Sequence, residues 1–119
     1  MSLAAVALSA ALGGVGAVLR WLLLEGLRSR RSWLAILFVN IAGSAIAGGV
    51  TAFPGSAEAL PLVAGLCGGL TTFSTLALHL VPGTLTRKVS ELLGLALAHS
   101  VGGVGACLAT YTLVSTLLG

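Results

Sequence analysis

An all-α membrane protein with four transmembrane helices is predicted by three observations. The chain has 119 residues, 57% hydrophobic and only 8% charged, where a soluble domain of this size carries roughly a quarter charged residues. Its six basic and three acidic side chains cluster, leaving four apolar runs, each about as long as the roughly twenty residues that cross a bilayer. Short Pro- and Gly-containing or basic segments separate those runs.

The first span is expected from about Leu3 to Leu24. Residues 2–12 have the character of a signal-peptide core, but no positive charge precedes them and the apolar run continues to Leu24, so a retained helix is expected. A basic loop, Glu25 to Ser32, leads to a second span from about Trp33 to Phe53. After the turn Pro54 to Ala59 comes a third span, about Leu60 to Val81, with Pro61 suited to its first turn and Pro82 to its exit. A Pro-Gly turn continues to Arg87 and Lys88, and the fourth span runs from about Ser90 to Leu118. Residues 1–119 thus form a single four-helix transmembrane domain. The seventeen glycines are spread through the spans and offer close-packing faces. Gly-Gly-Val-Gly-Ala occurs at both 13–17 and 102–106, which reads as similar packing faces rather than an internal repeat.

Loop charge sets the orientation. The first and third loops hold Arg28, Arg30, Arg31, Arg87 and Lys88, with Arg20 at the same end of its helix, and the opposite side holds no Lys or Arg. The positive-inside rule places those two loops in the cytoplasm, with both termini outside, in a multi-pass protein of the plasma (inner) membrane. The net charge of +3 is small and local, and without an aromatic-rich basic patch it does not suggest a nucleic-acid partner.

Few residues can carry chemistry. Arg20 lies inside its span and is either a snorkelling anchor or a cation that draws anions toward a pore. Asn40 is mid-span, either interhelical glue or an amide donor to an anion. Residues 68–75 read Gly-Gly-Leu-Thr-Thr-Phe-Ser-Thr, a poor recipe for a plain lipid-facing helix. The run is either a packing device or part of a permeation site, because non-helical backbone at membrane depth must be buried in protein or touch water. Within it Phe73 is core filler or a ring edge for an anion, and Ser74 and Thr75 have hydroxyls that replace water around a small ion. His79 and His99 have no carboxylate near in sequence, and structural or solvated roles are expected for both. Glu25, Glu58 and Glu91 lie near helix ends, so no mid-membrane carboxylate is available for proton coupling. Cys67 and Cys107 lie in different apolar runs, as small buried residues. Nucleophile triads, phosphate loops and metal-ligand clusters are absent from the sequence, so an enzyme is not expected.

Gly16-Ala17-Val18-Leu19-Arg20, Asn40-Ile41-Ala42-Gly43 continuing to Gly48, and the run 68–75 fall in order on the first three spans. Together they resemble the motifs of the small four-helix fluoride channels of the Fluc, or CrcB, family. The resemblance implies an antiparallel dual-topology dimer with two fluoride paths, its third helix broken at the centre. It also implies a structural sodium ion at the dimer axis on backbone carbonyls, here those of Gly68 and Thr71, whose oxygens suit a hard cation. Arg20, Asn40, Phe73, Ser74 and Thr75 would belong to the fluoride pathway, and the implied role is passive export of toxic cytoplasmic fluoride.

Three features depart from the family's pattern. Leu76 stands where the family usually has a second Phe, His79 where a Glu is common, and residues 101–109 offer no hydroxyl on the fourth helix, with Ser100 and Thr110 flanking the gap. With the one-sided loop charge, this suggests one subunit of a heterodimer, paired with an oppositely oriented homologue. The alternatives are a self-sufficient homodimeric channel, a small four-helix multidrug-type transporter, which lacks an acidic residue in the first span, and a structural assembly protein, which leaves the run 71–75 unexplained.

Overall fold

The structure, a computed structural model, describes residues 2–26, 32–55, 59–73, 77 and 88–119. Every regular element among them is helical. Helix α1 covers Leu3–Gly26 and α2 Ser32–Thr51. Helix α3 comprises a π-helical segment, Leu62–Cys67, continued by an α-helical turn, Gly68–Leu70. Helix α4 is Val89–Leu118. Leu3–Gly26, Trp33–Thr51 and Val89–Leu118 are long and apolar enough to cross a membrane, by length and composition.

The helix ends differ slightly from the hydropathy limits, for local reasons. α2 stops at Thr51, two residues before the end expected at Phe53. There the Thr51 hydroxyl bonds back to the carbonyls of Ala47 (2.9 Å) and Gly48 (3.1 Å). Pro54 disfavours helical backbone just ahead of it, and Gly55 turns the chain with φ 75°. The third span, expected over 60–81, is helical to Leu70, and most of its second half lies outside the described residues.

The helices associate as two parallel pairs. Along α1 and α3, Ser9 meets Gly65, Gly13 meets Gly69 and Gly16 meets Leu66 and Leu70, both chains ascending together. Along α2 and α4, Asn40 meets His99, Ile41 meets Gly102, Ser44 meets Gly103 and Gly48 meets Cys107. A Cβ added at Gly16 would fall on the Leu66 carbonyl oxygen, one at Gly69 on that of Gly13, and one at Gly48 on that of Cys107. Small residues at these crossings let backbones touch, which is how helices associate where lipid removes the hydrophobic drive.

Among the described residues the buried apolar side chains are Ala35, Ile36, Val39, Cys67, Leu70 and Leu95. Large side chains such as Val18, Leu22, Phe38, Leu97 and Leu108 point outward, the arrangement of a multi-pass membrane protein whose outer surface faces acyl chains.

Candidate functional site: the junction at the end of the third helix

The sequence Gly68-Gly69-Leu70-Thr71-Thr72-Phe73 ends α3 inside the protein. Thr71 adopts φ −77°, ψ 156°, an extended conformation. Its N–H and its hydroxyl both donate to the Cys67 carbonyl, each at 3.0 Å. Beyond it the backbone leaves the helix, and in hydrocarbon each polar group left without a partner costs several kcal/mol.

Two side chains from neighbouring helices meet that demand. Arg20 of α1 donates from Nη1 to the Thr71 carbonyl at 2.9 Å. A cation there also complements the partial negative charge of a helix C-terminus. Asn40 of α2 grips the next residue at two points. The Thr72 N–H donates to Asn40 Oδ1 at 2.7 Å, and Asn40 Nδ2 donates to the Thr72 carbonyl at 3.1 Å. The amide therefore pairs with Thr72 as a neighbouring strand would. Gly43, one turn beyond Asn40 on the same face, leaves space for Thr71, since a Cβ there would fall on Thr71 Cγ2. The spacing Asn40-x-x-Gly43 thus combines a clamp with the gap that lets the clamped chain approach.

A third helix contributes His99. The ring is buried and its Nδ1 lies 3.1 Å from Asn40 Nδ2. Beside this junction opens a cleft of about 310 Å³, lined by Asn40, Ser44, Thr72, Phe73, His99 and Ser100 among others. Phe73 is 78% exposed on the single chain, so it is not filler of that chain's core. The cleft offers serine hydroxyls, a ring and backbone at the end of a helix, a few polar groups within a largely apolar lining.

Arg20, Asn40, Thr71 and Phe73 therefore converge on one junction. Gly68 lies one turn earlier, at the start of the last turn of α3, on its exposed side. Ser74, Thr75, Leu76 and His79 lie outside the described residues. Thr110 does not face the cleft: its hydroxyl reaches the Ala45 carbonyl of α2 at 2.8 Å and the carbonyls of Ala106 and Cys107 in its own helix. Cys67 and Cys107 are free thiols, the first buried and the second half-buried. Among the described residues no group of three or more His, Cys, Asp or Glu side chains is placed to hold a metal.

His99, for which the sequence suggested a structural or solvated role, and Thr72, for which it suggested none, both belong to the junction. A usable signal existed in depth. Asn40 lies eight residues into α2 and His99 ten into α4, about 12 and 15 Å from helix starts on the same predicted side, so two polar groups at one depth were available to meet.

The family model described as "CrcB-like protein, Camphor Resistance (CrcB)" matches residues 7–112. A Fluoride-specific ion channel FluC of Pseudomonas aeruginosa is 36% identical over 126 aligned positions, covering 99% of this chain and 90% of the relative. A Fluoride-specific ion channel FluC of Erwinia tasmaniensis is 36% identical over 118 positions, covering 88% and 90%. A Fluoride-specific ion channel FluC 1 of Yersinia pestis is 32% identical over 111 positions, covering 87% of each. No solved structure matches the chain at a significant level. With three ordered motifs brought to one junction and a family match over nearly its whole length, this chain belongs to the CrcB-like family, whose curated relatives are ion channels rather than enzymes.

Proposed function

We propose that the chain is a subunit of a passive fluoride-selective channel that lets toxic cytoplasmic fluoride leave the cell. The observation that carries this is the end of the helical segment at Leu70: Thr71 is extended, and Arg20 and Asn40 bond the backbone of Thr71 and Thr72 beside a cleft rimmed by the exposed Phe73 ring, which supports a third helix broken at its centre. Ala77 is itself helical, and its N–H donates to the Phe73 carbonyl at 2.7 Å. Arg20, Asn40, Phe73, Ser74 and Thr75 are the pathway residues of this proposal. Entry of fluoride as the neutral acid and its ionisation in the cytoplasm make a passive anion path sufficient for export.

The working unit would be an antiparallel dimer. Arg28, Arg30, Arg31, Arg87 and Lys88 on one side against no basic loop residue on the other favour a single orientation with the termini outside. Leu76 and the hydroxyl-free stretch 101–109 favour an oppositely oriented homologue as partner over a second copy. A structural sodium at the axis would rest on the Gly68 and Thr71 carbonyls, whose position at a helix C-terminus is the right chemistry for a hard cation. Because Thr71 oxygen already accepts from Arg20, it has one lone pair left for such an ion, and oxygens from the partner subunit would complete the shell.

Fluoride efflux from liposomes tests this, first with the chain alone and then with a co-expressed homologue of inverted loop charge. Selective flux only with the partner is expected. Full flux from the chain alone would replace the heterodimer by a homodimer, and absence of flux in both cases would remove the channel assignment.

A further inference from the structure

We propose that His99 is a positioning residue: its unprotonated Nδ1 takes the second amide hydrogen of Asn40 and so fixes the amide that holds Thr72 out of the helix. The orientation of that amide follows from its partners. The Thr72 N–H can only donate, so the Asn40 atom 2.7 Å away is the carbonyl oxygen. The other amide atom is then the NH2 group, with two hydrogens to place. One goes to the Thr72 carbonyl and the other to His99 Nδ1, both at 3.1 Å. An NH2 group only donates, so Nδ1 accepts and the ring's single hydrogen sits on Nε2. A flipped amide would set NH2 against the Thr72 N–H, and its oxygen against both the Thr72 carbonyl and Nδ1. His99 therefore adds a third point to a two-point clamp and makes the wrong orientation worse.

The backbone supports this placement. α4 comes close enough for the contact because Gly102 and Gly103 face α2: a Cβ at Gly102 would stand 2.9 Å from Ile41 Cδ1, and one at Gly103 3.3 Å from Ser44 Oγ. His99 lies one turn earlier on the same face. It thus links α4 to the end of α3 through a side chain of α2.

Histidine and its two amide replacements separate the δ from the ε position. In His99→Asn the side-chain oxygen falls where Nδ1 stands, whereas His99→Gln places its amide at the Nε2 position and leaves no acceptor at Nδ1. Nitrogen NMR of ¹⁵N-histidine-labelled protein in lipid is expected to show His99 with the hydrogen on Nε2, and the opposite tautomer would overturn the proposal. Hydrogen exchange at the Thr72 amide is expected to stay near wild type in His99→Asn and to quicken about tenfold in His99→Gln and His99→Leu, the effect of one hydrogen bond lost. A packing role, or one acting through Nε2, predicts the reverse order, with Gln the better replacement, and that order would sink the idea. Should the variants fail to fold, the wild-type tautomer still decides. Any parallel loss of fluoride flux rests on the channel reading, whereas the tautomer and exchange measurements stand without it.

Discussion

The seam between α1 and α3 and the junction at the end of α3 solve opposite problems with adjacent residues. Along the seam, Ser9, Gly13 and Gly16 meet Gly65, Leu66 and Gly69 backbone to backbone. Both helices there are internally hydrogen-bonded, so contact needs only the removal of side chains. One turn later the backbone of Thr71 and Thr72 is no longer helical, and three long polar side chains, Arg20, Asn40 and His99, gather round it. Glycine is the right residue where the backbone is satisfied; where it is not, a guanidinium and an amide bond it, and an imidazole braces the amide. At the end of α3 the two devices stand side by side: close packing seats the helix, and polar side chains bond the backbone groups just beyond it.

Substitutions that enlarge the seam should have the largest effect. Gly69→Val sets a side chain against the Gly13 backbone, which cannot move aside as a flexible side chain does. A loss of about 3 kcal/mol is expected, read as a lower melting temperature in detergent and loss of monodispersity. Retained stability would show that the seam is looser than its geometry implies. Next comes Asn40→Leu, which deprives both backbone groups of Thr72 of this partner at an expected cost of about 1–3 kcal/mol, together with loss of fluoride flux. Asn40→Asp keeps an acceptor for the Thr72 N–H but turns an oxygen toward the Thr72 carbonyl, so it should not restore flux.

Arg20→Gln tests charge apart from hydrogen bonding at Thr71. About 1 kcal/mol should be lost with the charge-assisted bond, by chemical denaturation, and more than that would mean that the guanidinium also serves the seam. Thr110→Val should be milder still, at about 0.6 kcal/mol, because its hydroxyl is shared among the carbonyls of Ala45, Ala106 and Cys107. Phe73→Ala should leave stability almost unchanged, given the ring's 78% exposure on the single chain, while reducing flux. A large stability loss at Phe73 would point to its burial against the partner.

Much of this contrast is legible in the sequence. Hydropathy locates α1, α2 and α4, since a bilayer dictates twenty apolar residues whatever else the chain does. Arg20 and Asn40 stand out because polar groups at membrane depth need a reason. Their partners were not legible. Thr71 and Thr72 offer backbone atoms, which every residue possesses, and nothing in a side-chain pattern marks a carbonyl as available. His99 shows the same difficulty from the other side: a lone histidine on an apolar helix has no pattern, and its role appears only once α4 is known to lie parallel to α2. The π-helical stretch Leu62–Cys67 left no trace either, as its composition is that of any apolar helix.

The parallel pairing of α1 with α3 has a consequence for how the protein is made. About 45 residues separate the end of α1 from Thr71, and at 5–20 residues per second translation needs roughly 2 to 9 seconds to cover them. For that interval α1 rests in the bilayer without the helix it is shaped to meet. Its glycine face meets lipid, and Arg20 reaches for headgroup and water until the Thr71 carbonyl emerges from the ribosome. Arg20, six residues from the end of α1, is therefore well placed twice: it is close enough to the helix end to reach solvent during synthesis, and it is already beside the position that the Thr71 carbonyl takes when the third helix arrives.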